Sequence, residues 1–283
     1  MKKFKSTICY FSPAGTTKKV ADFIAETLTK GGHDVESSDL SVVKSEDIFN
    51  SASNRLKKGD CLWIGSPVYA CHIVPPVEDF LSNLPKAEGA FAVPFVTYGA
   101  VTSGIGLYEM ARLLTERGYR IPGAAKILAV HSLLWSSKSP LGNGHPGPDD
   151  EKLIKKLIES VSDKISNPDA ENFADPEVLN YQPGKVRDHA KAWNLAALRQ
   201  AMPPTKLDDE KCTECGICAE KCPVQNISLN PLPKLGDNCL FCFNCIRYCD
   251  PGALTNESLG VLEGMIRDRV NEYGEPAETK IFI

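Results

Sequence analysis

Apolar and polar positions follow two rhythms along the first 165 or so residues. Residues 6–11 form a short apolar run that ends in a Pro/Gly turn. From Thr16 the rhythm changes: Val20, Ile24 and Leu28 recur at four-residue steps, and Gly31-Gly32 stops the stripe. A buried run followed by such a stripe predicts a strand and then an amphipathic helix. The pair repeats. Residues 33–40 read as a weaker second strand, 61–65 as a third that stops at Ser66-Pro67, and 74–85 as a helix with proline near its first turn. Residues 91–99 give a fourth strand ending in glycine, 106–118 a helix capped by Gly118, and 125–131 a fifth strand. A Gly/Pro/Ser loop (134–148) and a strong helix (149–165) follow.

Strand–helix alternation at this spacing predicts an α/β fold with a doubly wound, five-stranded parallel sheet. Right-handed crossovers gather the loops leaving the strand C-termini on one edge, where ligands bind in open sheets of this type. Past residue 166 the pattern breaks. Residues 167–184 read as linker, and 185–201 as a helix with Val186, Ala190, Trp193 and Ala197 on one face. The expected units are therefore 1–166, a sheet domain; 167–206, a linker with a helix; 207–256, a cysteine module; and 257–283, a last helix and tail.

Cysteine placement decides what the module is for. Of 11 cysteines, Cys9, Cys61 and Cys71 are scattered, and eight crowd between Cys212 and Cys249. Cys212, Cys215, Cys218 and Cys222 form C-x2-C-x2-C-x3-C followed by Pro223. Cys239, Cys242, Cys245 and Cys249 repeat the spacing, followed by Asp250-Pro251. A C-x2-C-x2-C turn points three thiolates at one small volume, and the fourth cysteine, a helical step away, reaches the other cluster. The expected sets are Cys212, Cys215, Cys218 and Cys249 for one [4Fe–4S] cluster, and Cys239, Cys242, Cys245 and Cys222 for the second. Zinc asks for four ligands from two short pairs, and two triplets with trailing cysteines over-supply it.

The loop after the first strand runs Ser12-Pro13-Ala14-Gly15-Thr16-Thr17 and opens a helix. Helix N-terminal amides carry partial positive charge, and hydroxyls can complete a phosphate's shell without lysine. Ser12, Ala14, Gly15, Thr16 and Thr17 are the candidate phosphate cradle. Ser66, Pro67, Val68 and Tyr69 follow the third strand, and Thr97, Tyr98 and Gly99 end the fourth. All three loops must converge on one edge. A phosphate cradle at one end and two aromatic-bearing loops at the other suit FMN, with its ring between the loops of Tyr69 and Tyr98. A classical dinucleotide site is unsupported, since no G-x-G-x-x-G follows any strand.

On these motifs the first 165 residues or so resemble the flavodoxin family, and the last third resembles a bacterial two-cluster ferredoxin. The whole chain resembles the flavodoxin–ferredoxin fusions of the EFR type, known mainly from anaerobes and archaea. The resemblance implies FMN, a five-stranded sheet with a small α+β ferredoxin domain, and electron transfer. The expected function is passage of electrons between two clusters and FMN, to or from a redox partner protein or a small-molecule acceptor. The alternative is a flavin-dependent reductase of a bound small molecule fed by the clusters.

Charge narrows the partners. The net charge of −4 argues against a nucleic-acid partner. No run of about 18 apolar residues suggests a membrane span, and no signal-peptide pattern is seen, so the cytosol is the expected compartment. Cys9 and Cys61 read as core. Cys71 and His72 could form a pair near the flavin, though loop filler is the commoner reading. Trp135 and His145 sit in the 134–148 loop, which should overhang the cofactor as a lid, substrate wall or ferredoxin dock. Lys185, Arg187, Lys191 and Arg199 suggest a basic helix docking on the more acidic cysteine module, against the commoner reading of a solvated charged face. The linker leaves open a swinging ferredoxin or docking on a neighbouring subunit of a homodimer.

Overall fold

The computed structural model describes residues 3–41, 56–167 and 173–283. Its centre is a six-stranded sheet. Strands β1 (Lys5–Tyr10), β2 (Asp34–Asp39), β3 (Cys61–Pro67), β4 (Phe91–Tyr98) and β5 (Ala124–Leu128) are parallel, as the periodicity predicts. β3, β4 and β5 are buried along their whole length because helices cover both faces, which explains why they read as unbroken apolar runs. β2 is the polar edge strand. Helices α1 (Thr16–Lys30) and α4 (Pro148–Ser166) bury Ile24, Leu28, Leu157 and Val161 against one face. Helices α2 (Pro75–Asn83) and α3 (Gly106–Glu116) bury Leu81, Leu107 and Met110 against the other.

The chain's tail adds the sixth strand. Residues Lys280–Phe282, numbered β10 in chain order, pair antiparallel with β5, so the sheet runs β10-β5-β4-β3-β1-β2. A three-residue run is too short for any periodicity to announce it. The segment expected as linker is tied down from residue 173 onward, while its residues 168–172 lie outside the described part. Ala174 N–H donates to the Ile121 carbonyl at 2.8 Å. The Arg120 guanidinium sits over the Phe91 and Phe173 rings, Tyr181 stacks on Phe282, and Leu179 is buried.

The helix expected over 185–201 is two helices, α5 (Gly184–Ala192) and α6 (Leu195–Ala201). Trp193 leaves helical geometry, and the Asn194 side chain caps α6 by accepting from Ala197 N–H at 3.0 Å. The cysteine module follows. β6 (Lys206–Leu207) pairs with β9 (Leu254–Thr255), and β7 (Ile227–Leu229) with β8 (Pro233–Leu235). Two single-turn helices, α7 (Ile217–Glu220) and α8 (Asn244–Arg247), each begin inside a cysteine run. Helix α9 (Leu259–Tyr273) then returns the chain to the sheet domain.

Two contacts, among others, fasten the C-terminal third to the sheet domain. The first is an apolar core of Leu134, Phe241, Phe243, Leu262 and Ile266, joined by Leu198 and Met202. Of the two readings of the basic residues in 185–201, docking and a solvated face, each is met in part. Lys185 reaches the Glu272 carbonyl and Lys191 pairs with Asp188, while Arg199 touches the module, donating to the Cys239 carbonyl at 3.2 Å. The second contact is buried charge. Glu275, just past α9, faces Lys126 of β5 at 2.7 Å, with side chains 6% and 3% exposed. Thr102, the Ser103 amide and hydroxyl, and Gln182 also donate to its carboxylate. No helix among the described residues is long and apolar enough to cross a membrane.

Candidate functional site

The C-terminal ends of β1, β3, β4 and β5 open onto a cavity of about 300 Å³. Nine of the twelve residues expected to bind a flavin line it: Ala14, Thr16 and Thr17 at one end, then Pro67, Val68 and Tyr69, then Thr97, Tyr98 and Gly99. The other three have local duties. The Ser12 hydroxyl accepts from Lys18 N–H at 2.9 Å, fixing the first turn of α1. Gly15 holds φ at +85° at the start of that helix, a conformation glycine adopts without penalty. Ser66, fully buried, donates to the Pro67 carbonyl and accepts from Val74 N–H.

The two aromatic-bearing loops are built under backbone strain. Ala70, Cys71 and Ala100 take φ of 48°, 72° and 62°, values non-glycine residues rarely adopt and which cluster at functional sites. The loops also interlock. Ile105 N–H donates to the Cys71 carbonyl at 2.8 Å, and a Cβ on Gly104 would meet that carbonyl oxygen at 2.1 Å. At the floor, Thr17 and Thr97 share a hydroxyl–hydroxyl bond of 2.8 Å that ties α1 to β4.

Several expected residues turn elsewhere. The Tyr98 hydroxyl donates to the Glu278 carbonyl at 2.8 Å, so its ring is held by the tail. His72 does not pair with Cys71. Its Nδ1 faces Glu109 at 2.5 Å and its Nε2 the Ala190 carbonyl at 2.8 Å, clamping α5 onto α3. Burial pulls His72 down, but the Glu109 carboxylate and backbone carbonyls outweigh it and leave its pKa raised. His145 sits 2.6 Å from Asp150 at the start of α4, and Trp135 packs against the module; neither lines the cavity. The loop residues that do are His131, Ser132 and Leu133. His131 packs so closely on Gly99 that a Cβ there would lie 2.6–2.7 Å from it. Burial lowers the His131 pKa to about 4, so the ring is neutral at ordinary pH. A lone histidine after a strand carries no sequence signal for this role.

The opposite wall belongs to the cysteine module. Leu240, Phe241 and Phe243 of the second cysteine run line the cavity. Asn244 donates to the Pro13 carbonyl in the phosphate loop at 2.8 Å. Tyr69 hydrogen-bonds Ser132 and stands close enough to Cys242 to feel its charge. The signal was in the sequence. Leu240, Phe241, Phe243 and Ile246 occupy the positions that hold Thr213, Glu214, Gly216 and Ala219 in the first run.

The cysteines gather in two places. Cys212, Cys215, Cys218 and Cys249 line one small pocket beside β9. Cys222 is an electrostatic neighbour of Cys239, Cys242 and Cys245. Both runs place a left-handed residue on each side of the middle cysteine: Glu214 and Gly216, then Phe241 and Phe243. The backbone thereby turns amides toward sulfur, with Phe241 N–H donating to Cys239 Sγ and Asn226 N–H to Cys222 Sγ. Among the described residues no three His, Cys, Asp or Glu side chains close on a point fit for one ion. Burial pushes the Cys242 and Cys245 thiols up to about 12, so thiolates there need a positive charge such as iron beside them. The donor set suits [4Fe–4S]. The other cavity suits FMN, having helix-start amides and hydroxyls at one end and an apolar slot at the other.

Comparison with known proteins divides the chain the same way. Residues 7–103 match the family described as "Flavodoxin domain", and residues 205–228 match "4Fe-4S binding domain". The N-terminal fold is flavodoxin-like. The flavodoxin domain implies FMN and the second domain a [4Fe–4S] cluster, which together support an electron-transfer flavo-iron–sulfur function. "Uncharacterized protein MJ0749" of Methanocaldococcus jannaschii is 38% identical over 50 residues, 18% of this chain and 20% of its own length. Rubredoxin oxygen:oxidoreductase of Desulfovibrio gigas is similar at 21% identity and TM-score 0.46, over 59% of this chain and 38% of that one. A flavodoxin from the domain Archaea is similar at 20% identity and TM-score 0.41, over 58% of this chain and 99% of that one. The chain thus spans a fifth of the curated relative's length and under two fifths of the Desulfovibrio protein's.

Proposed function

We propose that this chain relays single electrons through two [4Fe–4S] clusters to or from FMN, and exchanges them with a redox partner protein or small-molecule acceptor. Cys212, Cys215, Cys218 and Cys249 hold an outer cluster; Cys222, Cys239, Cys242 and Cys245 hold an inner one. FMN lies in the cavity, its phosphate at the Ala14–Thr17 end and its ring between the loops of Tyr69 and Gly99. The observation that carries the reading is the shared wall: residues flanking the inner-cluster cysteines line the flavin cavity itself. Bound FMN stores one or two electrons, and the protein sets distance, potential and access. Covalent linkage and the apolar docking core remove the diffusional encounter between the two centres.

The test is anoxic purification followed by iron, flavin and EPR measurement. About eight irons and one FMN per chain are expected, with two interacting cluster signals on reduction. Zinc without flavin, or about four irons, would overturn the two-cluster reading. A second reading, reduction of a bound small molecule, is favoured by one observation: Trp193 and helices α6 and α9 add further walls to the cavity beyond the sheet's loops.

A further inference from the structure

Beyond the flavodoxin loops the cavity continues into an outer lobe. Its walls are Cys71, Trp193, Met265, Ile266, Arg269 and Tyr273, from the Tyr69 loop, the end of α5 and helix α9. None of the loop residues assigned to the flavin phosphate belongs to this end.

Among the described residues lining the whole cavity, Arg269 is the single formally charged side chain, and there is no Asp or Glu. Its partner is Glu272 on the same helix, in an ion pair whose side chains are 40% and 53% exposed. Exposed pairs of this kind are weak and exchange readily. The guanidinium can therefore turn to an incoming carboxylate, which it grips through two parallel N–H donors. Acids stand near the lobe without lining it: Glu272 pairs with Arg269, and Glu109 and Glu275 act on Cys71.

The lobe is lined mainly by apolar and aromatic side chains. The His189 ring lies 6.0 Å from the Trp193 ring and 5.5 Å from the Tyr273 ring, edge-on to the latter, and steadies both. Burial, helped by the nearby Arg269 charge, lowers the His189 pKa, so it adds no competing cation at ordinary pH. Met265, 54% exposed, stands at the mouth with an adaptable side chain. Tyr273 Oη and Cys71 Sγ, 3.8 Å apart, are the polar atoms deeper in.

We propose that this lobe binds a small planar carboxylate, its carboxylate on Arg269 and its flat apolar part against Trp193, next to the flavin ring. The proposal rests on the FMN reading and gives the second functional reading a ligand class: a conjugated organic monoanion.

Holoprotein prepared without oxygen is assayed for FMN first. It is then titrated with trans-cinnamate and with its neutral isostere cinnamamide, by calorimetry and by the flavin difference spectrum. Cinnamate should bind at least about tenfold more tightly than the amide. Arg269→Gln should erase that preference with FMN content unchanged, and Arg269→Lys should keep part of it. Equal affinities for acid and amide, or an undiminished preference in Arg269→Gln, would overturn the proposal while the FMN reading stands. A preparation that takes up no FMN would sink the cofactor reading before any ligand is added.

Discussion

The buried carboxylate of Glu275 gives the sharpest quantitative test of how the two halves hold together. Changing it to glutamine alters one atom and removes the charge. The Lys126 ammonium, 3% exposed, then has no counter-ion. The amide cannot compensate. All the groups around the carboxylate are donors: Lys126, the Thr102 hydroxyl, the Ser103 amide and hydroxyl, and Gln182. Whichever way the substituted amide turned, its NH2 would displace a donor, and the two hydroxyls that could take its hydrogens already accept from Gly104 N–H and Gln182 Nε2. Losing one member of a buried pair costs about 3–5 kcal/mol. At about 2–4 °C per kcal/mol for a chain of this class, the midpoint should fall by roughly 6–20 °C. Lys126→Met should cost less, because four donors remain on the carboxylate.

The same group fixes a pH dependence. Burial raises the Glu275 pKa, but Lys126, Ser103 and Gln182 outweigh it and hold it below its ordinary 4.5. Stability from this site is therefore present in full above the unfolded value and lost as pH falls through the lowered one. Unfolding is followed by far-UV circular dichroism and flavin release between pH 3 and 7, roughly the span of carboxylate titration. Two results would refute the reasoning: a loss under about 1 kcal/mol for Glu275→Gln, or an acid limb in that variant identical to that of the unaltered protein.

The other perturbations address the site. Cys215→Ser and Cys242→Ser should each lower iron from about eight to about four per chain; only Cys242→Ser should slow the spin relaxation of the flavin semiquinone, and equal relaxation in both would contradict the inner and outer assignment. Gly99→Ala should weaken FMN binding more than about tenfold, because its Cβ meets His131 at 2.6–2.7 Å; fluorescence titration of deflavinated protein measures it. His131→Phe should flatten a stability loss between pH 6.5 and about 4, since a histidine kept neutral by burial favours folding only while the unfolded chain's imidazole is also neutral. An unchanged profile over that window would mean His131 is solvated.

Much of this was legible in the residues. The four-step stripe of Val20, Ile24 and Leu28 and the apolar run at 61–65 announce helix and buried strand, the latter because burial on two faces leaves no alternation. The cysteine spacing carries its chemistry directly. Local signals also existed for features read too simply: Asn194 is a good N-cap inside an apparently continuous helix, and splits it. What could not be read depends on distant partners. Strand β10 is three residues long and exists because β5 offers an open edge. His131 lines the cavity by its position against Gly99, and His145 turns away from it by its position against Asp150. Neither histidine differs in local sequence in a way that separates the two roles. The docking reading was met only in part for a related reason: counting charges on 185–201 ignores that Leu198 and Met202, at that segment's end, pack against the module's apolar core.

The difference between the two cysteine runs shows how one ferredoxin-like repeat acquires direction. Both runs need left-handed residues beside the middle cysteine. The first uses Glu214 and Gly216, which suit solvent, and the glycine takes its angle without strain. The second uses Phe241 and Phe243, which cost strain at those angles. Nothing in cluster ligation requires aromatic rings there, since the first run does without them. Their compensation is elsewhere: the two rings meet edge to face, 6.2 Å apart, and pack on Leu134, Leu262 and Ile266. Under the proposed assignment, the apolar residues around the inner cysteines would exclude water between cluster and flavin, while Cys215 of the outer set stays exposed. Such a chain would exchange electrons with partners at the solvent-facing cluster and pair them at the flavin, so the two tasks would be separated in space.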